Sequence, residues 1–218
     1  MSTINFNNGF YNFKTNTFNK YSDDTISSLN VGYDYIEYSG DEPIFNEINI
    51  YFNKLLKNEE ECSKMISNLS NIVKEIIYPQ RANIIYGLAS NDKTTFINMI
   101  KKLFGEYYSS IEQSDEEIDL TPYCDKRIIV ADYQLNPFQK FKPFNEISLY
   151  LTPNPPIPKF QIFYISNIKL EIPDDAKRLI NIFNTTFTNQ EQADFKIEKK
   201  IETPEWNSAL MWMLIHKY

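Results

Sequence analysis

Three residues near the middle of the chain have the types and the spacing of a phosphate-binding loop. The pattern G-x-x-x-x-G-K-[ST] is matched by Gly87, Lys93 and Thr94, and only its second glycine is replaced, by Asp92. In such a loop backbone N–H groups and a helix N-terminus hold phosphates, the lysine reaches the β- and γ-phosphates, and the hydroxyl group holds Mg²⁺. The segment therefore predicts a nucleoside triphosphate site.

Asp92 places a carboxylate where the motif has a glycine. At about 4 Å from a phosphate charge, an unpaired carboxylate costs up to ~4 kcal/mol at an effective dielectric of about 20. A cost of a few kcal/mol corresponds to a loss of affinity of roughly a hundred- to thousand-fold. We therefore expect a weakened site, and the alternative hypothesis, a chance match between a strand and a helix, stays open.

The apolar residues around the motif predict an α/β unit. The run Ala82–Tyr86 indicates a buried strand, and a helical periodicity follows over 93–104. We expect a parallel sheet flanked by helices. The other predicted elements are buried strands at 127–131, 161–165 and 179–183, a loop at 136–159 and a C-terminal helix at 205–216.

The part of the chain before this unit predicts two smaller regions. Aromatic residues alternate with polar ones over 6–18, which favours a hairpin. Two amphipathic helices are predicted at 44–57 and 60–77, and the second has Ile76 on its apolar face. The expected organisation is an extended segment, a small helical region and an α/β core with a C-terminal helix, at 1–43, 44–79 and 80–218.

The composition excludes several classes of protein. The 218 residues are 42% hydrophobic and 23% charged, as in globular domains, and contain neither an apolar run of about 18 residues nor a leader-like N-terminus. We therefore expect an intracellular protein with no membrane partner. A net charge of −7 argues against strong non-specific binding of nucleic acid. The single histidine, His216, argues against histidine-based catalysis, and Cys62 and Cys124 are expected to be free buried thiols.

Taken with its surroundings, the phosphate-loop segment resembles the superfamily 3 helicases, in the form found in primase–helicases of nucleocytoplasmic large DNA viruses and related phages. Segments at 8–15 and 32–35 resemble the family's opening and its T-G-Y-D-Y marker. The resemblance implies a P-loop, AAA+-like fold that binds ATP and Mg²⁺. The residues that it implies for the nucleotide site are Gly87, Ser90, Asn91, Lys93, Thr94 and Thr95.

The same resemblance implies three catalytic residues and a metal site. Asp132 corresponds to the metal-facing acid at the end of a strand, and Thr94 and Asp132 together would hold Mg²⁺. Asn167 corresponds to the sensor that contacts the γ-phosphate or its water. Arg178 corresponds to the arginine finger offered to a neighbouring subunit. The sequence departs from the family because Tyr133 follows Asp132 where a second acid is usual, and because the region up to Asn167 is proline-rich and lacks a basic hairpin.

Two functions follow as hypotheses. The first is a degenerate P-loop protein of a DNA virus or mobile element, an oligomeric scaffold with weak or no ATP turnover that could form a ring. The alternative is an active ATP-dependent DNA helicase acting in viral genome replication, which alone would bind DNA. Either would be found at a viral replication site in the host cytoplasm or packaged in the virion. A third hypothesis, an aromatic single-strand binder, is disfavoured by the negative charge.

Overall fold

The structure is a computed structural model of the chain. It describes residues 3–22, 29–56, 58–76, 82–87, 90–111, 121–132, 160–167, 180–185 and 199–216. The predicted loop at 136–159 and the candidate residue Arg178 lie outside the described residues. Within these ranges, none of the helices combines the length and the apolar character needed to cross a membrane.

The described elements begin with three strands and two helices, and the remaining five strands and two longer helices follow. The strands are β1 Thr3–Phe6, β2 Gly9–Asn12, β3 Thr17–Lys20, β4 Ala82–Tyr86, β5 Tyr108–Ile111, β6 Ile128–Asp132, β7 Gln161–Ser166 and β8 Ile180–Asn184. The helices are α1 Pro43–Leu55, α2 Glu59–Val73, α3 Ser90–Phe104 and α4 Pro204–His216, with short 3-10 helices at Gly105–Tyr107 and Thr121–Tyr123.

Five of the strands form a parallel sheet with the order β5-β6-β7-β4-β8. β7, in the middle, is buried at every position. A parallel sheet that is covered on both faces requires strands that are apolar throughout, which is why short apolar runs predicted them. The sheet and its flanking helices confirm the expected α/β class.

The edge strand β5 is absent from the sequence prediction. Two serines occupy its centre; Ser110 is exposed, Tyr108 and Ser109 are partly buried, and only Ile111 is buried. It nevertheless pairs with β6, Tyr108 lying opposite Ile128. Edge strands have one paired side and need fewer apolar residues, so the apolar signal for β5 is weak.

The N-terminal region is a three-stranded antiparallel sheet in which β2 lies between β1 and β3. The predicted hairpin is thus extended by a third strand. Gly9 allows the close pairing, because its φ is +156° and a Cβ there would lie 2.2 Å from the carbonyl oxygen of Asn19. The ring of Phe18 stacks on that of Tyr35 with centroids 4.5 Å apart. This small sheet therefore packs through its aromatic side chains.

Helices α1 and α2 form close to the predicted places. At the start of α2 the side chain of Asn58 accepts a hydrogen bond from the amide of Glu61 at 2.9 Å, which caps the helix. The helix ends at Val73, since Glu75 adopts a φ of +55°. The prediction that Ile76 belongs to the apolar face is wrong: Ile76 follows the helix and is 46% exposed.

Helix α4 is buried on all sides, from Trp206 to Ile215. It contacts α1, α2 and α3, and a helix that is apolar all round must be enclosed in this way. Cys62 lies in the same core, whereas Cys124 is only partly buried, so the expectation of a buried thiol is wrong for Cys124. One buried cluster joins Phe6, Phe52 and Phe163, one from each predicted region. The region boundaries stay a prediction.

Arg127 fastens several elements together just before β6. It is 2% exposed, and its guanidinium donates to the carbonyl oxygens of Val73 and Thr3 and to the Glu75 carboxylate at 3.3 Å. It also lies 4.9 Å from the ring centroid of Tyr107. Burial lowers the pKa of Arg127, and Glu75 opposes that shift. The side chain thus ties β1 and the end of α2 to the main sheet.

Candidate functional site

The predicted phosphate loop joins the strand β4 to the helix α3. β4 ends at Tyr86, Gly87 follows, and α3 begins at Ser90 and is 15 residues long. Residues 88–89 lie outside the described part. The strand and the helix that a phosphate loop needs are therefore present in that order.

The first turns of α3 contain the other residues predicted for the nucleotide site, namely Ser90, Asn91, Lys93, Thr94 and Thr95. Asp92 also lies in the first turn, so its backbone is helical, a conformation that aspartate adopts without the strain of a positive φ. The replacement of glycine at this position therefore carries little backbone cost. What it changes is the charge at the end of the helix.

Lys93 is the most informative side chain of the site. It is only 3% exposed, and its ammonium donates a hydrogen bond to the carbonyl oxygen of Gly87. Thr94, the next residue, is exposed, and Thr95 is half-buried. The ammonium and the N-terminus of α3 place two sources of positive potential beside the end of β4. An anion would be stabilised there.

Gly87 is required by a close approach between two strands. Its amide donates to the carbonyl oxygen of Ser166 at 3.3 Å, and the amide of Thr185 donates to that of Tyr86 at 2.8 Å. A Cβ at position 87 would lie 1.8 Å from the hydroxyl oxygen of Thr185. Only glycine leaves room for Thr185, which the sequence analysis did not single out because it lies 98 positions further along the chain.

The parallel register brings the remaining described candidates to the same edge of the sheet. Ile85, Ile165 and Asp132 form one row across β4, β7 and β6. Asp132 ends β6, and the exposed Asn167 follows β7 two residues beyond that row. Neighbouring strands are about 4.8 Å apart, so Asp132 lies about 10 Å across the sheet from β4. Gly87, Lys93, Asp132 and Asn167 thus share one edge, although up to 80 positions separate them in the sequence.

These residues fit the group that the motif implies. The ammonium of Lys93 suits phosphate oxygens, and α3 offers its N-terminal amides. Mg²⁺ prefers hydroxyl, carboxylate and phosphate oxygens, and the exposed Thr94 and the strand-end Asp132 supply the first two types. The residue types at this edge are thus those that a triphosphate tail with Mg²⁺ would need.

Comparison with solved structures finds the same fold in the C-terminal region of NrS-1. An A-form apo structure of that region (305–718) has a TM-score of 0.59 and 19% identity over 84% of this chain and 49% of that one. A second A-form apo structure has a TM-score of 0.61 and 16% identity, covering 83% and 47%. A further apo structure has a TM-score of 0.59 and 17% identity, covering 84% and 51%.

The chain spans about half the length of these structures. No family model matches the sequence. A search of curated proteins finds no match either. At 16–19% identity the likeness to NrS-1 is one of fold.

Proposed function

We propose that this chain is a nucleotide-binding P-loop protein of superfamily 3 helicase ancestry, from a DNA virus or mobile element, with weak or no ATP turnover. The observation that carries the proposal is the buried ammonium of Lys93 on the carbonyl oxygen of Gly87, at the point where β4 passes into α3. The likeness of fold to the C-terminal region of NrS-1 supports the ancestry.

In this proposal each residue of the edge has one task. The N-terminal amides of α3 and the ammonium of Lys93 bind the phosphates of ATP, and Thr94 and Asp132 hold Mg²⁺. Asn167 orients the attacked γ-phosphate or its water. Arg178 reaches the site of a neighbouring subunit, so the protein works as a homo-oligomer in which a ring is one arrangement.

Three features favour the degenerate form. Asp92 puts a negative charge in the first turn of α3, where phosphate oxygens need positive potential. Tyr133 and Gln134 follow Asp132, so no second acid stands there to activate a water. The net charge of −7 is unfavourable for binding DNA, whose phosphates are also negative. The protein is then an oligomeric scaffold at a viral replication site or within the virion.

The alternative is an active ATP-dependent helicase, which alone would require DNA as a partner. The observation that favours it is the register, because Asp132 and Asn167 end adjacent strands beside the end of β4. That is the placement that hydrolysis would need for a metal-facing acid and a γ-phosphate sensor.

Calorimetric titration and a turnover assay test the proposal. Wild-type protein is titrated with Mg²⁺ and a non-hydrolysable ATP analogue, with Lys93→Met as the control, and ATP turnover is then followed with and without single-stranded DNA. We expect measurable binding that the control loses, and turnover near background. Absence of binding would refute a nucleotide site, whereas robust turnover stimulated by DNA would favour the helicase.

Mass photometry tests the oligomer. We expect species larger than one subunit, since an arginine finger acts only across a subunit boundary. A strict monomer at every concentration, with and without the ATP analogue, would remove the role proposed for Arg178.

A further inference from the structure

A carboxylate of α2 holds the end of β8, far from it in the sequence. Glu61 accepts two hydrogen bonds from Asn184, one from the backbone amide at 2.8 Å and one from the side-chain amide at 3.0 Å. The two residues are 123 positions apart. Hydrogen bonds to an ionised group are roughly twice as strong as neutral ones, so this pair is a firm attachment.

The position of Glu61 in its helix makes this attachment informative. Asn58 caps α2 and Glu61 is three residues later, which is the spacing of a capping box. In a capping box the glutamate side chain returns to the amide of the capping residue. Here both carboxylate oxygens of Glu61 accept instead from Asn184. The side chain serves a tertiary contact in place of its usual local one.

The end of β8 in turn contacts the phosphate loop. Thr185, next to Asn184, forms an isolated antiparallel bridge with Leu56, at the end of α1. Its amide donates to Tyr86 at 2.8 Å, and its hydroxyl oxygen occupies the space where a Cβ of Gly87 would be. Because Gly87 also accepts from Lys93, one series of contacts runs from α2 to the ammonium of the loop.

We propose that Glu61 is a positioning residue for the phosphate loop. By fixing the backbone of Asn184 it keeps Thr185 against Gly87, and so keeps the Gly87 carbonyl oxygen directed at Lys93. This inference rests on the proposed nucleotide-binding function. It implies that α2, through Glu61, contributes to the affinity of the phosphate loop for nucleotide.

The experiment exchanges the two partners of the hydrogen bond. Glu61→Gln turns one oxygen into an amide that faces the amide of Asn184, and Asn184→Asp sets two carboxylates against each other. In the double variant the introduced amide donates to the introduced carboxylate, while the amide oxygen still accepts from the backbone at 184. Glu60→Gln is the matched control, because Glu60 pairs on the surface with Lys64 at 2.6 Å.

Two readouts are taken on the full chain: affinity for Mg²⁺ with a non-hydrolysable ATP analogue, and amide hydrogen exchange at Gly87 and Thr185 without nucleotide. We expect each single variant to bind about tenfold more weakly and to exchange faster at both amides. The double variant should recover both values, and Glu60→Gln should change neither. A contact that only stabilises the fold would leave the affinity of the folded single variants for the analogue unchanged.

The outcomes separate the two proposals. If wild type binds the analogue and the single variants bind equally well, the positioning role is overturned and the nucleotide site stands. If wild type binds nothing, the proposed function fails, and faster exchange at Gly87 in the single variants would still show that Glu61 orders the loop. Unchanged exchange in that case would overturn both.

Discussion

Arg127 and Lys93 are both buried cations, and they lie at opposite ends of the parallel sheet. Arg127 precedes β6 at the amino edge, where its carbonyl oxygen accepts from the amide of Gln161 at the start of β7. Lys93 lies at the carboxyl edge beside Gly87. Their exposed fractions, 2% and 3%, are nearly the same. Burial alone therefore does not distinguish a cation that joins elements of the fold from one that is proposed to bind phosphate.

The surroundings of the two cations differ. The planar guanidinium of Arg127 donates to three acceptors from two parts of the chain, Thr3 in β1 and Val73 and Glu75 at the end of α2, and a rigid fork of donors suits such a junction. Lys93 carries a compact charge on a flexible stem at the N-terminus of a helix. Arg127 thus joins β1 and the end of α2 to the sheet, whereas Lys93, beside a helix N-terminus and the crowded Gly87, is the cation that we propose to bind phosphate.

Removal of the guanidinium should have the largest effect on stability. Arg127→Met leaves the carbonyl oxygens of Val73 and Thr3 and the Glu75 carboxylate without this donor, which we expect to lower the free energy of unfolding by about 3–5 kcal/mol. Urea denaturation measures it. Lys64→Met, on the exposed surface of α2, should cost less than about 1 kcal/mol. A loss of the same small size for Arg127→Met would contradict its fastening role.

Removal of the Lys93 ammonium should have a large effect on nucleotide affinity and a small one on stability. Lys93→Met should lower affinity for the ATP analogue by about a hundredfold. It should change the free energy of unfolding by about 1 kcal/mol or less, because the lost hydrogen bond is offset by relief of the cost of burying an ammonium. Titration and urea denaturation of one preparation measure both. A variant that unfolds easily and binds normally would place Lys93 in the same class as Arg127.

Replacement of Asp92 by glycine should raise nucleotide affinity, whereas replacement of Lys93 lowers it. Asp92→Gly removes a negative charge from the first turn of α3, so affinity for the analogue should rise about tenfold. Glycine in a helix also costs up to about 1 kcal/mol, so stability should fall slightly. Asp125→Asn, which removes a charge from an exposed residue, is the control and should leave affinity unchanged. Unchanged affinity in Asp92→Gly would show that the carboxylate does not oppose phosphate.

The smallest expected effect is a dependence of stability on pH, which comes from His216 and not from Arg127 or Lys93. His216 lies 3.0 Å from the Tyr35 hydroxyl, and its ring packs on Trp212. Burial lowers the pKa of His216 below its ordinary value of 6.5, while Glu37 opposes the shift and Lys74 adds to it. The unfolded chain then binds the proton more readily, so this contribution to stability is complete above pH 6.5 and declines as the pH falls through it.

Urea midpoints at about pH 7.5 and 5.5 measure this contribution. Wild type should lose more stability between the two values than His216→Gln does. At both pH values Arg127→Met should be less stable than Lys93→Met. Equal losses in wild type and His216→Gln would contradict the assignment.

The sequence predicted most of the elements because their signals are local. Apolar runs located β4, β6, β7 and β8 to within about one residue, and periodicity located α1, α2 and α4. Elements and their ends were predicted less accurately where the conformation depends on residues outside the element. β5 depends on pairing with β6, and α2 stops at Val73 because Glu75 turns the backbone.

The candidate site was predictable only in the part that lies within one segment. Gly87, Lys93 and Thr94 were found by spacing, and the structure places the ammonium of Lys93 on Gly87. The contacts of Thr185 with Gly87 and of Glu61 with Asn184 join residues far apart in the chain. No spacing rule relates such positions, because their contact depends on the order of the strands.

The sequence by itself determined which stretches become strand or helix and where a phosphate loop would begin, since apolar periodicity and a short motif act between neighbours in the chain. The tertiary structure alone decided that β8 lies beside β4, that Asp132 and Asn167 share the edge with Gly87, and that Arg127 reaches Thr3, 124 positions away. Those placements follow from the packing of the strands and helices against one another, in which each strand takes its position from the surfaces that the others leave to be covered.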